Sequence, residues 1–118
     1  MATSHGILMS GFDSSAGDLR IWIGTNLDCT NGVTSFFPTT TGAAGGQPLF
    51  SQILTIFVSA QRNTATFSDA PMAAIKSVAA DFSQVNVNVM VGTVLGILGA
   101  TVLPAPDGTR AYCLVMGI

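Results

Sequence analysis

Strict alternation between Val85 and Val91 constrains the fold more than any other feature of this sequence. Valine stands at positions 85, 87, 89 and 91, and Asn86, Asn88 and Met90 lie between them. A period of two predicts a half-buried β-strand, because successive side chains of a strand point to opposite faces of its sheet. We therefore expect the valines to face the core and the residues between them to face outward.

The remainder of the C-terminal third continues this β pattern. An uncharged, largely apolar run from Val94 to Leu103 is followed by the turn-forming residues Pro104 to Thr109 and by a final apolar run from Arg110 to Ile118. Proline, aspartate and glycine so close together mark a turn between strands. This part of the chain is predicted to form a β-hairpin and a further strand.

A transmembrane helix is the alternative interpretation of Val85 to Leu103. These nineteen residues contain no charge, and Gly92 and Gly96 have the spacing by which helices pack in lipid. Asn86, Asn88 and the valine alternation argue against this alternative.

The N-terminal part predicts a second hairpin, formed by Gly6 to Phe12 and Leu19 to Gly24 around a polar connection. If the aliphatic residues Leu19, Ile21 and Ile23 face inward, Trp22 lies on the outward face with Arg20. An exposed tryptophan can mark a contact surface, and burial beneath a loop is the alternative. Asn31-Gly32 predicts a turn before a short strand from Val33 to Phe37.

Two segments in the middle of the chain have helical periodicity. Pro48 to Arg62 has strand-forming residue types but separates its polar and apolar residues at a helical period, so a helix is predicted and a strand is left open. Ser68 to Ser83 has a helix-capping start and an apolar face. The fold class predicted for the single domain 1–118 is α+β, an antiparallel sheet of about five strands with two helices on one face in the order ββ(β)ααβββ. An all-β sandwich or jelly roll is the alternative.

The scarcity of charge is the strongest indication of function. Only 8% of the 118 residues are charged, against roughly 25% in an ordinary soluble domain. Burial of surface against other subunits removes the need for charged, solubilising residues. The three arginines and the single lysine are scattered, which argues against binding to nucleic acid and to anionic lipid.

No catalytic, cofactor-binding or metal-binding motif is recognisable. Asp13, Asp18 and Asp28 have the positions of turn residues, and His5 is the only histidine. Cys29 and Cys113 do not form a CxxC pair. A disulfide between them is left open, and burial of Cys113 in a strand is the favoured interpretation.

The sequence thus predicts a non-enzymatic structural protein that self-associates into a homo-oligomeric shell, filament, appendage or capsid-like assembly. A small-molecule or carbohydrate-binding module and a membrane-active small protein are the alternatives. The composition favours an extracellular or virion-associated location. The predicted interface residues are Trp22, Asn86, Asn88 and Met90.

Overall fold

The β pattern extends over the whole described chain. The computed structural model describes residues 5–12, 19–61, 70–94 and 100–118, and these contain strands joined by turns and loops but no helix. The strands are β1 (His5–Phe12), β2 (Leu19–Asn26), β3 (Val33–Phe36), β4 (Ile53–Gln61), β5 (Ala70–Val78), β6 (Val85–Val94), β7 (Ala100–Pro104) and β8 (Arg110–Gly117).

Antiparallel pairing arranges these strands in two sheets. Sheet 1 has the order β1-β2-β8-β4, and sheet 2 has the order β3-β6-β5, with β7 also paired to β6. β3 pairs with residues 85–88 of β6, and β7 pairs with residues 90–94. Because β5 occupies the opposite edge of β6, β3 and β7 share one edge and lie end to end along it.

The core lies between the two sheets. Val85, Val87 and Val89 of β6 are fully buried, as their alternation predicts. Sheet 1 contributes Trp22 from β2 and Val115 from β8 to the same cluster. The architecture is therefore a two-layer, all-β arrangement, which agrees with the alternative fold class.

The prediction of an α+β fold with two helices is wrong. The segment 48–62 contains β4 and the segment 68–83 contains β5. Each strand has a bulge, between Ile53 and Thr55 in β4 and between Ile75 and Ser77 in β5. A bulge adds one residue, so the inward positions are separated by three residues instead of two. That spacing imitates the period of a helix.

Both bulged strands lie at an edge of their sheet. The extra residue of the β5 bulge is Lys76, whose side chain is exposed. The edge position of β5 also explains why this strand can contain Pro71. An edge strand leaves one row of N–H groups unpaired, so a residue without an N–H is tolerated there. The predicted helix start at Ser68 and the predicted loop from Asp13 to Asp18 lie outside the described residues.

The predicted direction of the β2 side chains is also wrong. Trp22 is only 2% exposed, whereas Ile23 is 40% exposed. The Trp22 ring packs edge-on against Phe36 of sheet 2, with centroids 6.4 Å apart and planes at 79°. The ring also covers Gly24, where a Cβ atom would collide with it. One indole buries more apolar surface than an aliphatic side chain, so it decides which face of β2 turns inward.

Two local predictions are confirmed. Asn31 and Gly32 both have positive φ, 51° and 75°, and form the turn between Thr30 and Val33. Reciprocal hydrogen bonds of 2.9 and 3.0 Å between Thr30 and Val33 close this turn. The first hairpin is present as β1 paired with β2.

The alternative of a transmembrane helix from Val85 to Leu103 is wrong, because this segment contains β6 and most of β7, which pair as antiparallel strands. None of the described ranges contains a helix long and apolar enough to cross a membrane.

The inward direction of Trp22 can be tested by comparing Trp22→Ala with Ile23→Ala. Removal of the buried indole should lower the free energy of unfolding by about 3–5 kcal/mol, while removal of the exposed isoleucine should cost about 1 kcal/mol or less. Urea unfolding followed by far-ultraviolet circular dichroism measures both, since Trp22 is the only tryptophan. A larger loss for Ile23→Ala than for Trp22→Ala would contradict this orientation.

Candidate functional site

On the outward side of sheet 2, a ladder of hydrogen-bonded polar side chains centred on Asn86 connects neighbouring strands. The Ser35 hydroxyl of β3 donates to Asn86 Oδ1 at 2.7 Å, and Asn86 Nδ2 donates to Ser77 Oγ of β5 at 2.9 Å. Gln84 Nε2 also donates to Asn86 Oδ1, at 2.7 Å. Asn86 therefore connects three strands.

This ladder reaches sheet 1 through Asn26. The Asn26 side chain is buried, donates from Nδ2 to the backbone oxygen of Ser35 at 2.8 Å and accepts from Thr34 Oγ1 at 2.8 Å. Because both ends of the carboxamide have partners, its burial avoids the cost of an unsatisfied polar group. Asn26 and Asn86 therefore have a structural role.

A cleft opens on the same side of sheet 2 where β3 and β7 meet along β6. The backbone of Val89 is hydrogen-bonded to the segments that precede β3 and follow β7. Its N–H donates to Gly32 O at 2.8 Å, and its carbonyl accepts from Ala105 N at 3.0 Å. The cleft has a volume of about 240 Å³. It is lined by Asn31, Gly32, Val33, Asn88, Val89, Met90, Leu103 and Pro104.

The lining of this cleft is mainly apolar and contains no charged side chain. The Asn88 side chain has no hydrogen-bond partner among the described residues, so its carboxamide can bind a group from outside. Asp107 adjoins the cleft, because its Oδ1 accepts from the N–H of the lining residue Asn31 at 3.0 Å. The cleft therefore suits an uncharged, apolar group. The acidic residue Asp107 lies at the border of the cleft.

The outward side of sheet 1 has a different character, and we call it the apolar face. Its central row crosses three strands in register, from Ile23 of β2 through Leu114 of β8 to Phe57 of β4. Ile21 and Met116 form the row beside it. Phe57 is 63% exposed, which is unusual for a phenylalanine on the surface of a sheet.

Polar groups border the apolar face at one end. Arg110 Nη1 donates to Thr25 Oγ1 at 3.2 Å, and the Tyr112 hydroxyl donates to Gln61 Oε1. The described side chains on this face include no acidic residue. An apolar centre with a polar border is typical of a protein–protein contact surface.

The structure separates the four predicted interface residues. Trp22 belongs to the core and Asn86 to the polar ladder, while Asn88 and Met90 line the cleft. Their participation in an interface stays a prediction. The apolar face was not predicted, although the nearly continuous apolar run in β8 could have indicated it. Such a run is typical of a strand that is covered on both sides.

The two cysteines are free and buried, so the disulfide left open by the sequence is not formed. Burial raises the pKa of the Cys113 thiol to about 12. Burial also raises the pKa of Cys29, where a backbone hydrogen bond from Gly32 lowers it and the charge of Asp107 raises it further. Thiolate is the reactive form of cysteine, so neither environment activates a nucleophile. The described residues contain no cluster of three or more potential metal ligands.

Comparison with known proteins finds no matching family model, no matching curated protein and no matching solved structure.

The different roles of the two asparagines on β6 give a matched test. Asn86→Ala removes three side-chain hydrogen bonds and should lower the free energy of unfolding by about 1–3 kcal/mol. Asn88→Ala removes none within the described chain and should change it by about 0.5 kcal/mol or less. Denaturant unfolding of both variants gives the comparison. Equal losses would show that the ladder does not stabilise sheet 2.

Stability at alkaline pH tests the environment of Cys113. An unfolded thiol ionises near its ordinary pKa of 9.0, whereas folded Cys113 stays protonated up to about 12. The unfolded state thus binds fewer protons between these values, so stability is retained below pH 9 and is lost as the pH rises.

The contribution of Cys113 to this loss approaches about 1.4 kcal/mol per pH unit. Cys113→Ala should therefore have a shallower dependence of unfolding free energy on pH between 9 and 11, whatever its cavity costs at neutral pH. Urea unfolding at several pH values measures both slopes. Identical slopes for the two proteins would show that the thiol is not shielded from solvent.

Proposed function

We propose that this chain is a non-enzymatic structural subunit that self-associates into a repeating assembly. The observation that carries the proposal is the row of Ile23, Leu114 and Phe57 on the apolar face, in which Ile23 and Phe57 are exposed and Leu114 is half-buried. Exposed apolar surface of this kind is stabilised when a partner covers it. A second copy of the chain is the partner that the low charge of the whole sequence favours, because like copies then meet without electrostatic repulsion.

The size of the apolar face sets the strength expected of one contact. Three strands about 4.8 Å apart and about seven residues long present a flat area of about 350 Å². A standard specific interface buries about 800 Å² on each partner. A single contact across this face is therefore weak, and association should depend on protein concentration.

A small-molecule binding module is the second candidate, and the cleft is the feature that favours it. Its volume of about 240 Å³ is below the range of roughly 300–1,000 Å³ that is usual for ligand sites. Asn31 and Asn88 carry the only polar side chains in this lining. The cleft therefore supports self-association better than it supports binding of a metabolite.

Sedimentation velocity over a hundredfold range of concentration tests the proposed function. The wild-type protein should form species larger than a monomer as its concentration rises. Moderate salt should change this little, because an apolar contact is not screened. Phe57→Ser should shift association to at least tenfold higher concentration, since the loss of a buried phenyl group costs about 1.5–3 kcal/mol.

Leu27→Ser is the matched control, because Leu27 is 51% exposed but lies in the connection between β2 and β3. It should associate as the wild-type protein does. A wild-type protein that remains a monomer at all concentrations would contradict the proposed function. Dissociation by moderate salt would show that ion pairs form the contacts instead.

A further inference from the structure

We infer that the copies associate head to tail, with Phe57 of one copy inserted into the cleft of the next. This inference rests on the proposed function, since it specifies how self-association takes place. The contact would join two surfaces of different shape: the exposed phenyl group of Phe57 on sheet 1 and the cleft on sheet 2.

The two surfaces lie on opposite sides of the molecule. Phe57 is on the outward side of sheet 1, and Asn88 and Met90 of the cleft are on the outward side of sheet 2. A contact between two different surfaces leaves one free copy of each surface at the ends of every oligomer. Growth by the same contact then continues, to an open filament or to a closed ring.

The cleft matches a phenyl group in size and in chemistry. An apolar cavity of about 150 Å³ is sufficient to bind benzene, and the cleft has about 240 Å³. Val33, Leu103 and Pro104 provide apolar walls, and Met90 adds a flexible thioether that packs well against aromatic rings. Phe57 is the most exposed large apolar side chain among the described residues.

Charge at the borders of the two surfaces favours the same arrangement. Arg110 borders the apolar face, and Asp107 adjoins the cleft through its hydrogen bond from Asn31. Asp107 lies in the connection from β7 of sheet 2 to β8 of sheet 1, and Arg110 is the first residue of β8. Copies stacked in the same orientation therefore bring the arginine of one towards the aspartate of the next. Opposite charges fix orientation more than they add affinity.

Two complementary variants distinguish this contact from a contact between like faces. Phe57→Ser lacks the inserted group but keeps its cleft. Asn88→Arg keeps Phe57 but fills the cleft with a long, charged side chain. Ala74→Arg is the matched control, because Ala74 is exposed and pairs with Asn88 in register but does not line the cleft.

At a concentration at which the wild-type protein is largely assembled, each of the two variants alone should be monomeric by sedimentation velocity. An equimolar mixture should form a one-to-one dimer and nothing larger, because it contains one intact contact. Ala74→Arg should assemble as the wild-type protein does. Each variant alone should need at least tenfold more protein to associate.

Three results would overturn the head-to-tail contact. Absence of a dimer in the mixture of two monomeric variants would indicate that like faces meet. Wild-type assembly by either variant would remove that residue from the contact. Equal disruption by Ala74→Arg would mean that any charge on sheet 2 is sufficient. Absence of the mixed dimer, equal disruption by Ala74→Arg or wild-type assembly by Asn88→Arg leaves the proposed function standing. Wild-type assembly by Phe57→Ser also removes the observation that carries the proposed function, and a monomeric wild-type protein contradicts both proposals.

Circular dichroism and thermal unfolding establish that each variant is folded before it is mixed. If Asn88→Arg does not fold, Leu103→Arg takes its place, because Leu103 lines the cleft and is half exposed. The expected and overturning results are the same for this replacement.

Discussion

Packing of the β6 valines against sheet 1 is the interaction on which the rest of the structure depends. Val85, Val87 and Val89 are fully buried, and the strand that carries them is paired on both edges. Val89 also fixes the ends of two neighbouring segments through its own N–H and carbonyl. The same strand thus holds the core on one side and forms the floor of the cleft on the other.

The sequence was informative wherever one strand follows a simple period. The valine alternation predicted both the existence and the direction of β6, and Asn31-Gly32 predicted a turn that requires positive φ. Prediction failed at the bulges of β4 and β5, where one extra residue changes the spacing of inward side chains. A bulge is defined by the register with the partner strand, and that register is not visible in the segment itself.

The candidate surfaces were predictable only in part. Low charge indicated a covered surface but not its position. Alternation in β2 did not show which face is inward, because the larger Trp22 and not the aliphatic Ile23 is buried. Asn88 and Met90 were placed correctly on the outward side of β6. The cleft beside them depends on where β3 ends and β7 begins along a shared edge, which is a property of tertiary structure.

The bulges have a further consequence for a chain with so little charge. A regular, apolar edge strand invites another chain to add a strand, which leads to amyloid-like growth. In β4 and β5 the edge is kinked, and in β5 the bulge also presents Lys76, the only lysine of the chain. The single lysine of the chain therefore lies on an edge strand, where a positive charge opposes unwanted backbone pairing. Irregular edges can therefore oppose fibril formation in a chain with very few charges.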